Sequence, residues 1–141
     1  MMKLVIPIIL LVMCVPSLCV QAAELESLEN VKIVPLQSTG VVNISPSRNM
    51  EVNYDKKEDW VYVECFVDGF KFTENKVGSL HQEGEGHIRL YINDEHVDTL
   101  FQPAFIIENL PEGEHVVKVV VVKNDRSPYD LEESFTVKME R

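Results

Sequence analysis

From Val31 to Met139 the apolar residues recur at alternate positions in short runs, and turn-forming residues separate the runs every 8–12 positions. No stretch keeps a 3.6-residue period, so the pattern predicts strands nearly throughout. The first two fall at 31–36 and 41–45, divided by Thr39-Gly40 and ended by Pro46-Ser47. Pro35 has no N–H to give to a ladder, which puts the first strand at a sheet edge. A third strand is expected at 49–54. The charged turn Lys56-Lys57-Glu58-Asp59 then leads into a long strand at 60–68. There Val61, Val63, Cys65 and Val67 share one face, and Trp60, Tyr62, Glu64 and Phe66 share the other. Gly69 breaks that strand before Phe70-Lys71-Phe72.

A polar, glycine-bearing loop is expected at 73–86. The strand at 87–93 alternates cleanly, with Ile88, Leu90 and Ile92 inward and His87, Arg89, Tyr91 and Asn93 outward. Asn93-Asp94-Glu95 turns the chain back into a hairpin with 96–101. A strand at 104–109 runs into Leu110-Pro111-Glu112-Gly113-Glu114, whose Pro and Gly suit a β-turn. The valine-rich run at 115–123 reads as a central strand covered on both faces. A turn cluster at 124–130 precedes the closing strand at 134–139. Seven to nine short strands, no long helix and a Trp on an early central strand point to an all-β fold. The expected architecture is a two-sheet antiparallel immunoglobulin/fibronectin III-like sandwich.

The start of the chain differs from all of this. Lys3 precedes an unbroken apolar run from Leu4 to Val15, Pro16 and Ser17 end it, and small residues follow at Ala22 and Ala23. That order is a secretory leader, so residues 1–22 are expected to be removed, with 23–30 a polar linker and 31–141 the domain. The apolar run is shorter than the roughly 20 residues a bilayer-crossing helix needs. Secretion, to the periplasm or the outside of the cell, is the expected destination, with no membrane insertion after cleavage.

Charge and cysteine narrow the partners. Against 13 basic residues stand 23 acidic ones, and the formal charge is −10. Nucleic acid and anionic lipid both call for a basic surface, so neither is an expected partner. Of three cysteines two lie in the leader, which leaves Cys65 without an internal partner; the core alone holds the domain.

No residue set specifies a reaction. There is no Gly-x-Ser-x-Gly elbow, no His-Glu-x-x-His and no phosphate loop, and a mid-strand Cys65 lacks a setting that would make it a thiolate. The chain therefore reads as no enzyme. Imidazole and carboxylate do gather at His81, Glu85 and His87, and with His115 they form a candidate copper or zinc set; otherwise no cofactor is expected. Asn43-Ile44-Ser45 is a formal glycosylation sequon followed by Pro46.

The segment from Gly84 to the C-terminus resembles a family of small exported bacterial domains. The resemblance lies in Gly84-Glu85-Gly86-His87-Ile88-Arg89-Leu90-Tyr91-Ile92-Asn93, in Leu110-Pro111-Glu112-Gly113-Glu114-His115 and in Val121 to Pro128. Members typically carry His-x-His before a Leu-x-x-Asp/Asn strand, then a Leu-Pro-x-Gly-x-His turn and an Asn-Asp-His segment. Several are of unknown function and others lie near periplasmic copper-handling or redox proteins. This chain departs from the pattern at Arg89 and Arg126, which replace histidines, and its Phe105-Ile106-Ile107 strand has none. The resemblance thus implies a β-sandwich in an exported setting and a reduced capacity for metal.

The resulting expectation is an exported, non-catalytic binding or interaction module whose partner is a protein or a small ligand. Its contact regions are the 73–86 loop and the 124–129 turn, with Tyr91, Arg89, Arg126 and Tyr129 as interaction residues, and Tyr62 and Phe66 as further outward aromatics. A periplasmic metal-binding protein and an accessory module of a cell-envelope or extracellular assembly are the alternatives.

Overall fold

The computed structural model describes residues 27–37 and 48–140. The expected leader, the strand at 41–45 with its flanking turns, and the Asn43 sequon lie outside those residues. The chain enters through one 3-10 turn, Leu28–Asn30, where Ser27 Oγ accepts from the Glu29 N–H at 3.2 Å. Leu28 and Val31 pack against the core, so this part of the expected linker is tied down.

Nine strands follow among the described residues. They are β1 (Lys32–Leu36), β2 (Met50–Lys56), β3 (Trp60–Val67), β4 (Lys71–Phe72), β5 (Glu85–Ile92), β6 (Glu95–Leu100), β7 (Ala104–Glu108), β8 (Gly113–Lys123) and β9 (Pro128–Met139). One sheet has the order β1-β7-β3-β2; the other runs β4-β5-β8-β9, with β6 also paired to β5. Every pairing is antiparallel except the short β4–β5 contact, where Lys71 lies beside Glu85.

This is the strand order of an immunoglobulin or fibronectin III-like sandwich. Strands β2, β3 and β7 take the places of A, B and E; β5, β8 and β9 take those of C, F and G, with β6 as the added neighbour of C. In the place of D sits β1, although it comes first in the chain. Pro35 lies in β1, which is an edge strand as its missing N–H requires.

The core lies between the sheets. Val61, Val63 and Cys65 of β3, Phe105 and Ile107 of β7, Ile88, Leu90 and Ile92 of β5, and Val117, Val119 and Val121 of β8 are fully buried. Each such aliphatic side chain contributes about 1.5–3 kcal/mol relative to exposure, an upper figure for a chain already partly collapsed when unfolded. The open side between β2 and β9 is closed by Tyr54 stacked on Phe135 at 4.1 Å, and by the Val52 N–H donating to the Glu133 carboxylate at 3.1 Å.

Two expectations need correction. Strand β8 is fully covered on one face only: Val116 is 45 % exposed, because among the described residues no third layer lies outside the second sheet. The last strand begins at Pro128, well before 134, because Pro128 and Leu131–Glu133 pair with β8 instead of staying in the turn. The β5–β6 turn fits its sequence: Asn93 and Asp94 hold φ of 52° and 65°, the left-handed pair that a two-residue hairpin demands and that Asn and Asp tolerate.

Candidate functional site

Strand direction brings five connections to one end of the sandwich. These are the approach to β2 at Arg48, the β3–β4 link, the 73–84 loop, the β6–β7 link and the β8–β9 turn at 124–127. In the immunoglobulin correspondence they include the B–C and F–G loops, which variable domains use for recognition.

The 73–84 loop is long but firmly held. The Thr73 N–H donates to Gly86 O at 2.8 Å and so extends the β4 pairing. Asn124, fully buried in the β8–β9 turn, ties the loop twice: its carbonyl accepts from the Gly78 N–H at 2.6 Å, and its Oδ1 accepts from Thr73 Oγ1 at 3.1 Å. Lys76 crosses the loop to Glu85 at 2.5 Å, and this hydrogen bond holds the Glu85 carboxyl below the usual range.

Tyr129 forms the second anchor. The β8–β9 register slips between Val121 and Val122, whose partners are Leu131 and Pro128, so Tyr129 and Asp130 form a bulge with Asp130 at φ 59°. The bulge turns the phenol onto the loop. Its oxygen accepts from the Gly84 N–H at 3.1 Å, and its O–H donates to Glu85 O at 3.1 Å. Phe70 and His81 meet the ring edge-on at 5.3 and 5.4 Å, and the cations of Arg48 and Lys123 each lie 5.4 Å from its centre. Arg48 also pairs with Glu83, and His81 Nε2 lies 3.1 Å from the same carboxylate. The hydrogen bond from Arg48 first, and that of His81 second, lower the Glu83 pKa. Burial, followed by the charge of Glu83, raises that of Tyr129.

The apex of this braced loop is apolar: Leu80 is 93 % exposed and Val77 36 %. Sequence reasoning did not single out Leu80, Arg48 or Phe70. The available signal was a leucine between Ser79 and His81, with Val77 the other aliphatic residue of a mostly polar loop.

The four residues expected as metal ligands go to different places. His81 serves Glu83 and Tyr129, and Glu85 serves Lys76. His87 points to the outer face of β5 as its register dictates, yet it is buried at 2 % exposure, with the Phe101 ring at 5.8 Å; the expectation of an exposed side chain is corrected. His115 lies on the core-facing side of β8. Its Nε2–H donates to Pro111 O at 2.9 Å and its Nδ1 accepts from Asn93 Nδ2 at 3.1 Å, a structural role. Val122 is the β8 partner of His87, so at roughly 3.3 Å per residue His115 stands about 23 Å away along the strand. Among the described residues no three His, Cys, Asp or Glu side chains form a group able to hold a metal ion.

Of the interaction residues, Tyr129 belongs to the loop anchor. Tyr91 lies on the outer face of the second sheet with Arg89 at 5.5 Å, Lys118 at 5.3 Å and His96 at 5.4 Å from its ring. Arg126 occupies the β8–β9 turn at φ 72°. Tyr62 is half-buried and Phe66 51 % exposed on the outer face of the first sheet. Burial pushes the Cys65 thiol up to about 12, which keeps it protonated and unreactive.

No family model matches this chain, and no curated protein matches it. Among solved structures it is similar to the fibronectin(III)-like modules of Clostridium thermocellum CbhA, with a TM-score of 0.43 and 10 % identity over 64 % of this chain and 97 % of that one.

Proposed function

We propose that this protein is an exported, non-catalytic recognition module that holds a partner protein at the loop end of its sandwich. The observation carrying this reading is the 93 % exposure of Leu80 at the apex of a loop braced by Asn124, Lys76 and Tyr129. A solvated loop gains nothing from an exposed leucine, whereas a pre-ordered one that inserts an apolar side chain into a partner loses little entropy on binding. The leader-like start, with the apolar run Leu4–Val15 behind Lys3, supports export.

The test is site-specific crosslinking in the source organism. A photoreactive benzoylphenylalanine replaces Leu80 in one strain and Glu112, at the opposite end of the sandwich, in another. A discrete higher-mass adduct from position 80 alone, in the exported fraction, is the expected result. Equal labelling at both positions, or none at 80, would overturn the reading.

A further inference from the structure

We propose that Arg89 and Arg126 form a binding site for the oxyanion group of a ligand, a carboxylate, sulfate or phosphate, above the buried His87 on the outer face of the second sheet. The site is separate from the Leu80 apex and does not depend on the role given to it.

Three independent features converge there. The first is uncompensated charge. In a chain with 23 acidic and 13 basic residues, a surface arginine has many carboxylates available to it. Yet among the described residues neither guanidinium makes an ion pair or a hydrogen bond. The register explains this for Arg89, whose cross-strand neighbours are the uncharged Thr99 on β6 and Val120 on β8. Beside Arg126, the Asp125 carboxylate is taken up by the Ser127 N–H at 2.9 Å and its hydroxyl at 2.6 Å.

The second feature is the orphaned imidazole. His87 is 2 % exposed, lies two residues from Arg89 on the same face, and its buried Nδ1 has no hydrogen-bond partner. Such a group is costly unless something completes its surroundings. The turn that carries Arg126 closes on Lys123, whose ladder partner is Gly86 next to His87; burial first, then the charges of Arg126 and Arg89, lower the pKa of this ring. A bound anion would offset that field.

The third is preorganisation. The Tyr91 ring lies 5.5 Å from the Arg89 guanidinium, and Arg126 sits in a left-handed turn closed by its N–H to Lys123 O at 2.9 Å. Glycine or asparagine would adopt that conformation at less cost, so an arginine there runs against local preference. Two forked guanidiniums are the residue type that matches planar or tetrahedral oxyanions.

The probes are inorganic sulfate, inorganic phosphate and acetate, titrated separately into the isotope-labelled protein at constant ionic strength. The His87 imidazole and the arginine guanidinium resonances are followed by NMR. At least one anion is expected to give a saturable shift. Arg89→Gln and Arg126→Gln should each weaken it about tenfold or more, the effect of one charged hydrogen bond. Lys118→Gln, whose lysine is already paired with Asp94 at 3.1 Å on the same face, should leave it unchanged. Saturation by sulfate or phosphate without acetate assigns a tetrahedral group, and acetate alone assigns a carboxylate. Shifts that rise linearly with all three anions, or midpoints that the two arginine variants do not move, would overturn the proposal.

Discussion

His87 illustrates how a single side chain can be placed by register and still be misjudged for exposure. The alternation of β5 sends it outward beside Arg89 and Tyr91, yet it is buried there, with the Phe101 ring of the β6–β7 link 5.8 Å away. Its lowered pKa has a consequence for stability. In the unfolded chain the ring titrates near 6.5, whereas in the fold burial, Arg126 and Arg89 resist its charge. Below 6.5 the unfolded state therefore binds a proton that the folded state refuses, so stability is full above that pH and declines as pH falls beneath it. Unfolding midpoints at pH 7.5, 6.5 and 5.5 should fall more steeply in the native protein than in His87→Asn. Parallel declines would show that the other histidines and the carboxylates account for the slope. Leu80 is the converse case: its residue type was plain in the sequence, but its exposure depends on how Asn124 and Tyr129 fold the loop beneath it.

Among the elements, the β5–β8 pair positions both candidate surfaces, and Gly86 is the residue that lets them approach. A Cβ at Gly86 would collide with the carbonyl oxygen of Val122 and come within 3.0 Å of Phe70 Cζ. The same stretch of β8 carries, toward β9, the bulge at Val121/Val122 that aims Tyr129 at the loop. Gly86→Ala is expected to cost about 1–3 kcal/mol, as overpacking does, and to loosen the 73–84 loop. Chemical denaturation measures the first effect and amide exchange at Gly78 and Gly84 the second. An alanine variant with native stability and protection would show that β5 and β8 have slack. Strand identity was largely legible from alternation, as at Trp60–Val67 and Glu85–Ile92, since period 2 is a local property. The bulge was not, because a register slip exists only between two strands, and it hid the early start of β9.

For the molecule as a whole, cohesion comes from one apolar core between two sheets and, in the described residues, from no disulfide: Cys65 is free and buried. The expected outcome is an unfolding midpoint indifferent to reductant, since loss of a native disulfide would remove about 2–4 kcal/mol. A clear drop with dithiothreitol would point to a covalent bond involving Cys65. The sequence by itself determined the all-β class, the alternating core residues, the Asn93-Asp94 hairpin turn, the edge position of β1 and the acidic balance. Each of these is a property of neighbours along the chain: side-chain period, left-handed tolerance, a missing N–H, a count of charges. Tertiary structure alone decided that His81, Glu85, His87 and His115 are drawn to separate partners, that Tyr129 braces a loop more than 40 residues earlier through Gly84, and that the turn bearing Arg126 comes up beside the strand bearing His87 and Arg89. Those relations depend on strand order and register, which bring distant residues together only after the two sheets have closed.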